Sequence, residues 1–287
     1  MSQQPNPQKL QAPRDRIKGV FSTQEIRKVG TGTTQRKTVY KGFYFLEEEE
    51  NGVIECQPLN SNYVPSGQKR KITIEEIIEK FAPEPEFYLN SVYPKMQALQ
   101  RTIDNADAHR AKGETFAAEH EYDAALKVDE ENVRANFGIG LTYLQRGENN
   151  KANDIFERLV KLDAAFEREH KNMFNDFGIN LRKAKMYQQA IVYYSRALEL
   201  TADDEHLHIN LARALFETQA IGDCVEHLLK ALELAPKQEQ ATKFLLWLME
   251  KNLVAAPLAE QIRHALAQES ISAAQTPQAQ TPGSSEG

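Results

Sequence analysis

FGINLRKAKMYQQAIVYYSRALEL (residues 177–200) and LARALFETQAIGDCVEHLLKALELAP (residues 211–236) carry one pattern twice. Phe177-Gly178 is followed by Leu181, Ala190, Tyr194 and Ala197, and 34 residues further on Leu211-Ala212 is followed by Leu215, Cys224, Leu228, Ala231 and Pro236. Large residues recur where large residues stood, and small where small stood. The frame extends backwards. Residues 133–166 place Ile139-Gly140, Tyr143, Ala152, Phe156 and Leu159 in phase, and residues 99–132 place Ala106, His109, Ala118, Tyr122 and Ala125 there. Residues 167–170 are an insertion, read as an added turn before repeat 171–204. After repeat 205–238, residues 239–268 keep Leu245, Met249, Leu258, Ile262 and Ala265 in phase but lose most small positions. They read as a degenerate repeat or capping helix pair.

This period and order of sizes resemble the tetratricopeptide repeat (TPR) family. The resemblance implies a mainly α fold, a solenoid of helical hairpins over 94–268; the residues before it read as a small α+β module. In each repeat the small residue of the first helix (Ala106, Gly140, Gly178, Ala212) admits the second helix closely, and Tyr122, Phe156, Tyr194 and Leu228 fill the space beyond. One pair cannot bury its apolar face alone, so neighbours share a continuous core. The family's closing proline survives only as Pro236.

Residues 14–93 lie outside the repeat. Segments 36–49 and 53–58 flank Asn51-Gly52, which predicts a hairpin with a two-residue turn. Val39, Phe43 and Phe45 share one strand face and Tyr40, Tyr44 and Leu46 the other, so neither face is expected to be solvated. Thr73 and Glu76 form a capping-box pattern before Ile74, Ile77, Ile78 and Phe81. Residues 83–93, with Phe87, Tyr88 and Tyr93, read as an extended strap, and Pro94 as the first residue of a long helix. The module is expected to pack on the repeats through these aromatics. Residues 1–13 and 269–287 are compositionally suited to disorder.

The chain has 287 residues and a net charge of −6, which argues against general nucleic-acid binding. No apolar run reaches the roughly 18 residues of a membrane span, and the N-terminal stretch lacks a signal-peptide core. Cys56 and Cys224 are expected to be reduced, which fits a cytoplasmic location. The seven histidines show no metal spacing, and no acid, base and nucleophile constellation stands out. The sequence therefore points to no enzyme, no metal and no cofactor.

Two candidate sites follow. Gly30-Thr31-Gly32-Thr33-Thr34 lacks the ending of a phosphate loop, yet Arg27, Lys28, Arg36 and Lys37 surround it with positive charge. It reads as a connector or, alternatively, as a site for a nucleotide or other anion. The second candidate comes from the resemblance. First helices of a TPR array line its concave face, which here implies Arg134, Phe137, Leu141, Asn175, Ile179, Arg182, Ile209, Arg213 and Phe216, with Lys183 at the rim. Apolar side chains framed by cations suit a protein segment with apolar anchors and acidic flanks, and Asn175 suits its backbone. A covering segment of the same chain, such as 83–93, is the competing occupant. The paired Lys and Asn of carboxylate-clamp TPRs are missing, so a chaperone tail is not expected. The apolar run Leu245, Leu246, Trp247, Leu248 and Met249 makes oligomerisation through 239–268 a further reading.

Overall fold

A computed structural model describes residues 16–29, 36–166 and 170–274. These residues gather into two units, one ending at Gly138 and the other beginning at Ile139.

In the first unit an antiparallel sheet has strand order β4-β3-β2-β1-β5. Its strands are β1 (Lys18–Val29), β2 (Arg36–Glu48), β3 (Ile54–Pro58), β4 (Arg70–Ile72) and β5 (Ala82–Pro83). Strand β1 is the main element the sequence reading missed. The turn between β2 and β3 is longer than the expected two residues. Glu49 N–H donates to Val53 O (2.8 Å), Gly52 N–H donates to Glu49 O (3.0 Å), and Gly52 takes φ +82°. That is a three-residue loop whose last position needs the left-handed conformation glycine adopts freely.

Both sheet faces are covered. Leu46, Ile54, Cys56 and Ile72 pack against Ile77 and Phe81 of the α1 segment (Ile74–Lys80 and its cap). Thr73 Oγ1 accepts the Glu76 N–H at 3.3 Å, but the Glu76 carboxylate turns to Arg70 (2.9 Å), so only half of a capping box forms. The opposite face buries Val20 and Phe45 with Val92, flanked by Phe43, Phe87, Tyr88 and Met96. The strap is helical rather than extended. A single turn α2 (Pro85–Phe87) runs through a π turn at Tyr88–Val92 into α3 (Tyr93–Ala111). The π turn precedes Pro94, whose ring nitrogen has no N–H to give to an α ladder. Phe87 packs at a tilt against Phe43 (4.7 Å between centroids) and Tyr88 against Phe45 (5.9 Å). The loop before β4 is tied to the end of α4 (Thr115–Val128). Asn60 Nδ2 and Asn62 Nδ2 each donate to Val128 O (2.9 Å), and Ser66 Oγ donates to Asp129 Oδ1 (2.5 Å).

The remaining helices are α5 (Val133–Arg146), α6 (Asn149–Leu159), α7 (Lys171–Lys183), α8 (Tyr187–Leu200), α9 (Glu205–Glu217), α10 (Ile221–Leu234), α11 (Glu239–Glu250) and α12 (Ala256–Ala274). A 3-10 turn, Asp163–Phe166, stands before α7, and residues 167–169 of the insertion lie outside the described residues. Helix α12 continues to Ala274, past residue 268 where disorder was expected, over residues with good helical propensity.

Each helix pair turns in the same way. Glu114, Glu148, Met186, Ala220 and Leu253 N–H donate to His109, Tyr143, Leu181, Leu215 and Leu248 O at 2.9–3.0 Å. The residue just before each, Gly113, Gly147, Lys185, Gln219 or Asn252, has positive φ. This is a Schellman motif repeated in every pair, α11/α12 included. Glycines admit the aromatics. A Cβ on Gly178 would lie 2.4 Å from Tyr194 Oη, and one on Gly140 would lie 2.6 Å from the Phe177 ring.

Candidate functional site

The first-helix residues fall into two groups. In the first unit, Arg134 at the start of α5 is consumed by α3. Its Nη2 lies 2.8 Å from Asp104 Oδ1 and 2.6 Å from Asp107 Oδ2, and its Nε donates to Asp107 at 2.9 Å. Asp107 also accepts from the Tyr122 hydroxyl, and burial and that hydrogen bond raise the phenol well above its ordinary range. Phe137 is fully enclosed, at 0% exposure. Leu141 and Ile209 are likewise buried. These three are core side chains, because their helix faces are covered by the chain itself. They cannot serve as surface anchors, and Arg134 is no free cation.

Leu141 and Ile209 already belong to the second unit, but elsewhere there the face is open. Asn175 and Ile179 are half-buried on α7, and the Asn175 Oδ1 is enclosed without a hydrogen-bond partner. Arg182, one helical turn beyond Ile179, is half-buried, and Lys183 is exposed. Arg213 on α9 gives its Nη1 to Asn210 Oδ1 (3.3 Å) and its Nη2 to Gln240 Oε1 (2.9 Å). Burial, and then the neighbouring Arg182 charge, hold its guanidinium below the usual arginine range. Among the described residues neither Arg182 nor Arg213 has a carboxylate partner.

These two arginines and Phe216 line an open cleft of about 530 Å³, together with Glu217, Gln240, Lys243, Phe244 and Trp247. Phe216 meets Phe244 and Trp247 edge-on, at 5.6 and 5.3 Å between centroids. Trp247 is 38% exposed. Sequence reasoning placed Phe216 and the arginines on this face but missed Gln240, Phe244 and Trp247. The signal was present: Trp247 stands one repeat after Arg213. The degenerate small positions drew attention away from it. In the α11 run, Leu245 and Leu248 are buried while Leu246 and Trp247 face outward.

Gly30 to Thr34 lies outside the described residues. Its flanks are the ends of β1 and β2, where the register pairs Lys28 with Lys37 and Val29 with Arg36. Cys56 and Cys224 are both free and buried, and burial pushes the Cys224 thiol up to about 12. Among the described residues no helix is long and apolar enough to cross a membrane, and no three metal-ligating side chains gather.

Residues 103–165 and 181–247 each match a family described as Tetratricopeptide repeat. The chain is 24% identical over 154 residues to a tetratricopeptide repeat and J domain-containing co-chaperone of Cryptococcus neoformans, covering 51% of this chain and 30% of that protein. It is 22% identical over 188 residues to a TPR repeat-containing protein of Methanocaldococcus jannaschii, covering 63% and 33%. The chain thus spans about a third of these curated relatives. Among solved structures, pilF of Pseudomonas aeruginosa matches with a TM-score of 0.43 at 18% identity, covering 61% of this chain and 78% of that one. MamA of Desulfovibrio magneticus matches with a TM-score of 0.43 at 14% identity, covering 62% and 97%. The recurring size pattern, the repeated turn and the two matched stretches agree: residues 103–165 and 181–247 of this chain are tetratricopeptide repeats.

Proposed function

We propose that the chain is a non-enzymatic interaction scaffold that holds a segment of a partner protein against the first helices of its later repeats. TPR proteins generally mediate protein–protein interaction, and one observation supports the choice of face. Phe216, Phe244 and Trp247 form an aromatic cluster that the chain leaves partly uncovered, beside two arginines without carboxylate partners. Such aromatic and arginine side chains supply most of the binding energy at interfaces. Within the first unit, the strap rings Phe87 and Tyr88 already pack on Phe43 and Phe45.

The test is affinity capture with the tagged full chain. Phe216→Ala with Trp247→Ala should remove the partner, each side chain contributing about 2 kcal/mol. Val192→Ala, an exposed change on α8, should keep it. Circular dichroism melts should match for all three proteins. Equal capture by both variants would refute the assignment.

A second reading rests on the β1–β2 register. The register brings Lys28 opposite Lys37 and Val29 opposite Arg36, so Arg27, Lys28, Arg36 and Lys37 gather at one end of the hairpin. If the basic end of this hairpin holds a nucleotide or similar anion, ATP or pyrophosphate should raise the melting temperature, and Lys28→Ser should abolish the shift.

A further inference from the structure

We infer that the second-unit cleft selects a partner segment in which an aspartate or glutamate side chain lies next to a large apolar one. This rests on the scaffold reading above and adds the chemistry of the ligand.

Three helices build the cleft. Arg182 comes from α7, Arg213 and Phe216 from α9, and Phe244 and Trp247 from α11. The hydrogen bonds of Arg213 go to the neutral amide oxygens of Asn210 and Gln240. They fix the planar fork but do not neutralise it. A second guanidinium beside a half-buried first one is an unfavourable arrangement that an anion relieves. The carboxylate at the rim, Glu217, lies beside the Tyr187 hydroxyl, and Lys243 is already paired with Glu239. A carboxylate brought by a ligand would therefore meet two guanidiniums that, among the described residues, have no carboxylate partner.

The aromatic cluster determines the rest. Rings can cage a cation or receive an apolar side chain. Arg182 and Arg213 on the same walls outnumber the rim carboxylate of Glu217 and disfavour a cationic guest, so the rings are left to an apolar one. A small anion such as phosphate would leave the rings unused. A nucleic acid could stack a base on Trp247, but the net charge of −6 opposes a polyanion. The cleft is open, as a continuing polypeptide requires. An acidic side chain on the fork and an apolar neighbour on the rings satisfy both halves at once.

A random peptide library displayed on phage, selected against the full chain, tests this. The expected peptides carry Asp or Glu beside Phe, Leu or Trp. Synthetic copies should bind about tenfold or more weaker to Arg213→Gln and to Trp247→Ala, with Arg213→Lys restoring only part of the loss. Their affinity should fall as salt rises. If Arg213→Gln melts early, Arg182→Gln replaces it. Trp247-dependent peptides without acidic residues, or rich in lysine, would overturn this inference and leave the scaffold reading standing. Selected peptides that ignore Trp247 would overturn both. Trp247-dependent binding of an oligouridylate would overturn the polypeptide assignment.

Discussion

The earliest and the later repeats build the same core and then treat their first-helix faces in opposite ways. In the first unit Tyr122 presses on Gly138 of the following repeat, where an added Cβ would lie 2.2 Å from its ring. In the second unit Tyr194 presses on Gly178 of its own repeat. Packing is conserved in kind, with a tyrosine of the second helix received by a glycine. The faces differ because of what stands near each arginine. Asp104 and Asp107 neutralise Arg134 internally, whereas among the described residues Arg182 and Arg213 form no ion pair and border exposed rings. The same fold thus closes one face by ion pairing and leaves another chemically unsatisfied.

The shared core gives the largest expected effect. Gly138→Val and Gly178→Val should each lower stability by about 3 kcal/mol, because the incoming methyls collide with a ring that has nowhere to go. Urea titrations check this, and a large loss in only one variant would break the claim of equivalent cores. Arg134→Ala should lower stability by about 1 kcal/mol through the loss of its ion pairs, and leave partner capture unchanged. A capture defect in this variant would return the early face to the binding surface.

A third test concerns His208 and His227, whose Nδ1 atoms lie 2.9 Å apart between α9 and α10. Burial holds both below the ordinary histidine range, and His208 further lowers His227. Asp204, Glu233 and Lys230 act on His208, and Glu226 and Asp223 on His227. The unfolded state then binds more protons, so stability is full above about pH 6.5 and falls as pH drops below it. Melts between pH 8 and 5 should show this slope, and His227→Leu should flatten it. The smallest effect belongs to the turns. Gln219 holds φ +63° where the first two repeats have glycine. Gln219→Gly should raise stability by about 0.5 kcal/mol, the relief of strain being partly offset by a freer unfolded chain. Gly113→Ala should do the reverse, and by more.

Much of the architecture was legible because side-chain size is a direct record of helix spacing. Gly178, Ala190 and Tyr194 state how close two helices come, and no distant contact is needed to read it. The face was legible only in part. Position identified Arg182, Arg213 and Phe216, but burial depends on what a neighbouring helix covers, which position alone does not reveal for Phe137, Leu141 or Ile209. Charge state was equally hidden, since Arg134 is quenched by Asp104 and Asp107 from another helix. Strand β1 escaped because Gln24, Glu25, Arg27 and Lys28 disguise its apolar alternation. The recurring left-handed residue was invisible where lysine, glutamine or asparagine replaced glycine.

The unbroken helical passage from Pro85 through the π turn to Ala111 has a practical consequence. Starting an expression clone at residue 94 looks natural on the page, yet it would saw through a helix. It would strip the cover from Met96 and leave the Val128 carbonyl without its two asparagine donors. The β-rich module is thus a lid bolted to the first hairpin, and a shortened protein that clumps would be reporting a missing lid rather than a failed repeat.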